Sequence, residues 1–416
     1  MMLFKHFFNI LHTYAELIRI HNIKLLVSSF TLLVISIGFL SWYTPILTDR
    51  YFHYWAHVIV TLLLVDDALF ALISGPLADT WGRKRVAVAG TLFYPTGFSL
   101  IVFGMVLDTL GSSSLVANVL IALGLVLAMG VTTLASPAAT ALLMESVDPD
   151  RRGTAYSMFL LIESIVLSSG SILFAYLLDV LGPLRVFLLV LALSTISTVL
   201  RLFLRETLTG IKSGSGLTEF LRTARRNVVH SFKNPLTRLL LIFSLVVGVG
   251  HGIIFFVVPL YLSQRLGFSV TEIGLLYALI PLLRVFLSPV SGPLADRRPY
   301  LSLAAGTCLS GLLYSFLLLP LGRWVPALAM VVASSISIFE GVAYSKVLSD
   351  ATKPSERATV FGLSHAIFSA GMPIGSLVGG SYYWAAELPV FVASIILAST
   401  AALIAKIREY ATSALL

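Results

Sequence analysis

The chain reads as a succession of long apolar runs separated by short polar turns. Runs rich in Leu, Ile, Val and Phe lie at 25–47, 54–77, 86–107, 115–143, 154–178, 184–204, 239–262, 270–293, 301–321, 325–348, 358–384 and 388–405. Each is close to, or above, the ~20 residues a helix needs to cross a hydrocarbon core. The runs are continuous, whereas barrel strands would alternate over about ten residues. The pattern therefore predicts an all-α integral membrane protein with twelve transmembrane helices. Residues 1–24 differ: Lys5, His6, His12, Glu16, Arg19 and His21 are scattered among Phe4, Phe7, Leu11 and Ile18. That mixture, with no small-residue cleavage site, predicts an interfacial helix and not a signal peptide.

Composition agrees with the pattern and narrows the function. Of the 416 residues 57% are hydrophobic and only 12% charged, with a mean hydropathy of +0.95. A soluble chain carries about 25% charged residues. Soluble enzymes, nucleic-acid-binding domains and secreted disulfide scaffolds are excluded, and the single cysteine, Cys308, leaves no intramolecular disulfide. The net charge of +8 is a matter of placement. Of the 28 Lys and Arg, 23 fall on the side shared by both termini and four, Arg50, Arg185, Arg265 and Arg323, on the other; Arg284 lies inside a span. By the positive-inside rule both termini face the cytoplasm, and the basic excess faces anionic lipid headgroups rather than nucleic acid.

The chain divides into two similar halves. The longest polar stretch, Arg205 to Pro235, contains Lys212-Ser213-Gly214-Ser215-Gly216 and reads as a basic linker. The expected organisation is an N-terminal interfacial segment (1–24), a six-helix bundle (25–204), the linker (205–236), a second six-helix bundle (237–406) and a cytoplasmic tail (407–416). Ser74-Gly75-Pro76-Leu77-Ala78-Asp79 ends the second span, and the same string, Ser291 to Asp296, ends the eighth. Pro149-Asp150-Arg151-Arg152-Gly153-Thr154 enters the fifth span as Pro354-Ser355-Glu356-Arg357-Ala358-Thr359 enters the eleventh. Such duplication marks transporter folds with a site between two halves.

These residues resemble the major facilitator superfamily over essentially the whole chain. Its signature between the second and third helices stands here as Gly75-Pro76-Leu77-Ala78-Asp79-Thr80-Trp81-Gly82-Arg83-Lys84-Arg85, with Thr80 in place of the usual basic residue. The counterpart after the eighth helix, Gly292 to Asp296 followed by Arg297-Arg298, lacks the Gly-Arg portion. The resemblance implies two pseudo-symmetric six-helix bundles and a cytoplasmic gate built from Gly75, Asp79, Gly82, Arg83, Arg85, Gly292, Asp296 and Arg297. Asp79 would pair with Arg83 or Arg85, or accept hydrogen bonds at a helix N-terminus. The fourth span lacks the Arg of the family's drug–proton antiporters, and the glycine pattern those carry in the fifth appears instead at Gly371, Gly375, Gly379 and Gly380 of the eleventh.

Ionisable residues within spans are the candidate chemistry. Asp66 and Asp67 lie in the second span, Glu163 in the fifth, Arg284 in the eighth and Glu340 in the tenth, with His251 in the seventh and His365 in the eleventh. Asp67, Glu163, Arg284 and Glu340 each sit about eight residues from a span end, about 12 Å deep. A charge there costs roughly 2.5–3.5 kcal/mol on insertion scales, so these groups must face a wet cavity or each other. The interiors of the third, sixth, ninth and twelfth spans carry none, as expected of the family's lipid-facing helices. The family's helix neighbours suggest Glu163–Arg284 and Asp66 or Asp67–His365 as pairs. Tyr344 stands one turn from Glu340 on the same face, and Trp42 and Tyr43 are further candidates for cavity lining.

The expected function is secondary active transport of a small solute across the cytoplasmic membrane by alternating access. A carboxyl able to switch between charged and neutral forms suits a proton carrier. Four acids against one Arg favour efflux of a neutral or cationic compound in exchange for protons. The alternatives are proton symport of a small organic anion on Arg284, or an uncoupled facilitator. Nucleotide-binding, zinc-protease and nucleophile-elbow strings are all missing from the sequence, so neither an enzyme nor a cofactor is expected. The partners are a small-molecule substrate, protons and membrane lipid, and the functional unit is a monomer.

Overall fold

The computed structural model describes residues 14, 16–111, 114–148, 152–207, 232–352, 357–381 and 387–413; at 71, 72, 75, 76, 79, 80, 132, 152–154, 156, 157, 289, 357–359 and 413 only the backbone is described. Most of the expected interfacial helix and of the basic linker therefore lies outside the described residues.

Among the described residues there is no strand, and eleven helical stretches are long and apolar enough to cross a membrane. The first, His21–Phe70, covers the first predicted span and most of the second. At 50 residues and 1.5 Å per residue it would be about 75 Å long, more than twice a ~30 Å core, so it holds two crossings. They meet at the 3-10 turn His53–Trp55, where His53 has φ 45°. A left-handed conformation at a bulky residue ends the helix there. The remaining predicted spans each match one stretch, among them Arg83–Thr109, Pro183–Leu202 and Leu388–Ser413.

Several spans are not single α-helices. The fourth passes from Ser114–Leu125 through a π-turn at Val126–Gly130 and a 3-10 turn at Val131–Leu134 to Ala135–Glu145. The ninth has a π-turn at Ala305–Leu309, and the tenth is interrupted at Ser337, between Trp324–Ile336 and Ile338–Asp350. Such irregularities in membrane helices survive where protein, not lipid, satisfies the freed backbone groups.

By packing, the chain forms two compact units. One holds Met1–Phe39 and Ile73–Ser215, the other Leu40–Leu72 and Gly216–Leu416. The ends of the first two spans that meet at His53 thus pack with the second half of the sequence. Within that unit Gln264 donates to Asp49 Oδ2 at 2.6 Å, Trp42 lies 6.5 Å from Tyr277 between ring centres, and His57 packs on Gly380. In the first unit Gly97 faces Gly124, and Phe39 stacks on Phe174 at 5.2 Å.

The seventh span, Pro235–Leu260, and the eleventh, Arg357–Ser381, make the closest seam. Gly248 and Gly252 lie on the backbone of Phe368 and Met372, and Gly371 and Gly375 lie on the backbone of Leu245 and Val249. A Cβ at any of these four would overlap the opposite helix. Small residues at four-residue spacing are how membrane helices approach closely where lipid gives no hydrophobic drive.

Candidate functional site

The seventh, tenth and eleventh spans line a half-open cavity of about 200 Å³ in the second unit. Glu340, Tyr344 and His365, all singled out by their position inside spans, share its wall with Phe243, Ser244, Phe361, Ser364 and Phe368. The polar groups of the wall are mostly used up. Tyr344 Oη donates to the Leu240 carbonyl at 3.1 Å and lies 2.6 Å from Ser364 Oγ, while Ser244 Oγ donates to the Ser364 carbonyl at 3.0 Å. The Tyr344 ring stacks on Phe243 at 5.7 Å. Three groups differ. The Glu340 carboxylate, the His365 ring and the exposed Ser345 hydroxyl have no hydrogen bond or ion pair among the described residues.

The position of Glu340 follows from the break in its helix. Arg284 Nη2 donates to the Ser334 carbonyl at 2.7 Å and to Ser337 Oγ at 2.9 Å. Ser337 Oγ also donates to the Ser334 carbonyl, at 2.8 Å. A side chain inserted at a helical carbonyl is one of the recognised causes of an interruption in the ladder. The guanidinium meets the negative end of Trp324–Ile336, and Glu340 stands in the first turn of Ile338–Asp350, each the favourable sign for its helix end. Opposite, Gly306 in the π-turn of the ninth span lies on the Glu340 backbone with no room for a Cβ. Tyr314 reaches Ser334 Oγ at 2.7 Å. Arg284 Nε is buried without a hydrogen-bond partner among the described residues.

The described contacts of the other ionisable groups lie within their own packed units. Arg284 uses its two hydrogen bonds on the tenth span, and Glu163, half-buried in Arg152–Leu181, makes no hydrogen bond or ion pair among the described residues. His365 belongs to the Glu340 cavity. His251 packs its ring 5.6 Å from Phe368, behind the wall and within electrostatic reach of Arg284. Asp66 and Asp67 are half-buried on the second span, and Asp66 Oδ2 has no hydrogen-bond partner among the described residues. Trp42 and Tyr43 are buried, at 0% and 4% exposure. The sixth span is not free of charge: Arg201 is 3% exposed, with Thr91 Oγ1 at 2.6 Å and Ser29 Oγ at 3.3 Å. As the last Arg of an apolar run, four residues before Arg205, it reads from the sequence as a loop residue.

The signature loop is built around Gly82, whose φ of 101° joins the helices Ala56–Trp81 and Arg83–Thr109. A left-handed residue there favours glycine. The side-chain surroundings of Gly75 and Asp79 lie outside the described part. Arg83 pairs with Glu145 at 2.9 Å, at the end of the fourth span, and Thr207 Oγ1 donates to the same carboxylate at 2.5 Å. Glu206 accepts from the backbone amides of Arg83 and Lys84 at 3.0 and 3.1 Å, capping the third span. Neither glutamate is among the sequence candidates; the signal for both is an acid ending an apolar run opposite a basic cluster. Arg85, Asp296 and Arg297 are exposed, and Gly292 has open space beside it.

Comparison with known proteins bears on the same features. The family model of the Major Facilitator Superfamily matches residues 25–375. The tetracycline resistance protein of class B from Escherichia coli is 30% identical over 173 residues, which are 39% of this chain and 41% of that protein. The class H protein from Pasteurella multocida is 28% identical over 148 residues, 34% of this chain and 36% of its own length. The matched stretches thus span about two fifths of those relatives. Among solved structures, the POT family transporter PepTSo superposes with a TM-score of 0.72 at 14% identity, covering 95% of this chain and 98% of that one. A point mutant of the nucleoside transporter NupG gives 0.69 at 13% identity, covering 93% and 98%. At these identities the structural likeness concerns the fold alone. Membrane-length apolar helices, a duplicated Gly-Pro-Leu-Ala-Asp string and a family match over most of the chain lead to one conclusion: this is an integral membrane protein belonging to the major facilitator superfamily of transporters.

Proposed function

We propose that the chain is a secondary active transporter of the cytoplasmic membrane that expels a small organic compound, neutral or cationic, in exchange for protons. One observation carries the reading: Glu340, a carboxylate within a span, opens on a cavity and makes no hydrogen bond or ion pair among the described residues. An ion so placed must be neutralised by a proton or by a cargo. Asp66, Asp67 and Glu163 are the further candidate proton carriers. The tetracycline resistance proteins favour export, since a membrane transporter confers resistance by removing the drug. The two bundles would act as a monomer by alternating access, with the Asp79 and Arg83 loop, and its counterpart at Asp296, as the cytoplasmic gate.

The test is transport in proteoliposomes under an imposed pH gradient, with tetracycline and simple organic cations as first cargoes. Glu340→Gln is expected to abolish gradient-driven accumulation, and Asp66→Asn and Asp67→Asn to reduce it at least several-fold. Accumulation equal to the parent in all three removes proton coupling through these acids and leaves an uncoupled facilitator. A second reading, symport of a small organic anion, draws on the unpartnered Nε of Arg284, because a guanidinium edge binds carboxylates. Uptake of a monocarboxylate that is lost in Arg284→Gln would favour it.

A further inference from the structure

Resting on the reading of Glu340 as the cargo-facing acid, we propose that this cavity seats the ring and ammonium of a protonated monocyclic arylalkylamine. The ammonium meets the Glu340 carboxylate and the ring lies among Phe243, Phe361, Phe368 and Tyr344.

Size, polarity and charge each restrict the occupant. A dry cavity of about 150 Å³ holds a benzene molecule, so about 200 Å³ admits one six-membered ring with a short chain. A polycyclic or peptide-sized cargo would project out of its open side. The wall also discriminates by polarity. Tyr344, Ser244 and Ser364 spend their hydroxyls on one another and on the Leu240 and Ser364 carbonyls. A sugar or nucleoside would leave several hydroxyls unmatched there, which costs about 1–3 kcal/mol for each one buried. The unmatched groups that remain are one carboxylate and one imidazole, at Glu340 and His365, and a single hydroxyl at Ser345, too few for a polyol.

Charge selects a cation. Arg284 of the eighth span acts on Glu340 electrostatically, yet its described hydrogen bonds go to Ser334 and Ser337. His365 of the eleventh span and Tyr344 of the tenth share the cavity wall with Glu340, while His251 of the seventh and Tyr314 of the ninth act on Arg284. None of these forms an ion pair with Glu340 among the described residues. An ammonium on the carboxylate satisfies the acid, and aromatic faces add cation–π attraction. Proton and ammonium then occupy the same carboxylate by turns.

The experiment measures binding of 2-phenylethylamine, phenylacetate and 2-phenylethanol to the purified full chain in nanodiscs, by calorimetry between pH 6 and pH 8. The amine is expected to bind at least tenfold more tightly than the acid or the alcohol, and less tightly as the pH falls. Glu340→Gln is expected to weaken the amine at least tenfold and leave the alcohol unchanged. Should that variant misfold, Gly341→Val provides the second arm. A Cβ at Gly341 meets open space, so the valine fills part of the cavity and is expected to weaken amine and alcohol alike. Equal binding of acid and amine, or undiminished amine binding in either folded variant, overturns the proposal. Gradient-driven transport that needs Glu340 without amine binding would refute this inference alone. Amine binding on Glu340 without proton-driven flux would refute the transport reading and leave the seat in place.

Discussion

Arg201 illustrates how a single membrane-buried charge is made tolerable. Its guanidinium lies under the Thr91 and Ser29 hydroxyls, joining the sixth span to the third and first. Hydrogen bonds to a charged group contribute about 1.5–3 kcal/mol, and removing one partner leaves the charge buried and under-satisfied. Thr91→Val is therefore expected to destabilise by about 1–3 kcal/mol. The double change Thr91→Val with Arg201→Met should recover most of the loss, because a paired polar cluster can be replaced by apolar atoms at little net cost. Thermal unfolding in detergent, read as a double-mutant cycle, checks this; strictly additive losses would mean the contact carries no energy. Depth is legible in the sequence for Glu340 and Arg284, since counting residues from a span end yields it directly. Partners are not, because helical spacing says nothing about which neighbour a side chain meets. Thus Arg284 turns to Ser334 and Ser337, and Arg201 looks like a loop residue.

At the scale of elements, the spans can be read because a bilayer demands an unbroken apolar length, and runs such as 184–204 satisfy it with few polar interruptions. The interruption at Ser337 cannot be read. Its neighbourhood, Ser335-Ile336-Ser337-Ile338-Phe339, contains neither Pro nor Gly, and the break comes from a side chain on another helix. Arg284 is accordingly a positioning residue for Glu340. Arg284→Gln is expected to lower gradient-driven transport at least tenfold, and Arg284→Lys to restore little of it, since both bonds come from the terminal Nη2, one bond further from the backbone than a lysine ammonium reaches. Ser337→Ala removes one hydrogen bond and should cost only about 0.5–1.5 kcal/mol of stability. Transport and thermal unfolding of the three variants together make the check; full activity in Arg284→Lys would show that charge, and not geometry, is what the break requires.

At the scale of the whole molecule, the placement of 23 basic residues on one side and four on the other makes a topological prediction. Green fluorescent protein fused after Leu416 should fluoresce, and alkaline phosphatase fused after Gly322 should be active; the reverse result would invert the orientation. The halves visible in the duplicated string do not coincide with the packed units, because Leu40–Leu72 packs with the later spans. Repetition in sequence records ancestry, while packing records which helices share a core. The glycine seam between the seventh and eleventh spans has a consequence for evolution. Phe243 and Ser244 on one helix and Phe361, Ser364 and Phe368 on the other form a shared cavity wall, joined where Ser244 donates to the Ser364 carbonyl. The width between them is thus set by backbone against backbone at Gly248, Gly252, Gly371 and Gly375. Ordinary wall mutations trim a sieve of fixed gauge. A single methyl group added at the seam would instead open the gauge itself, at a strain of about 1–3 kcal/mol. Selection for bulkier cargo should therefore find its first adaptive changes at glycines that never touch the cargo.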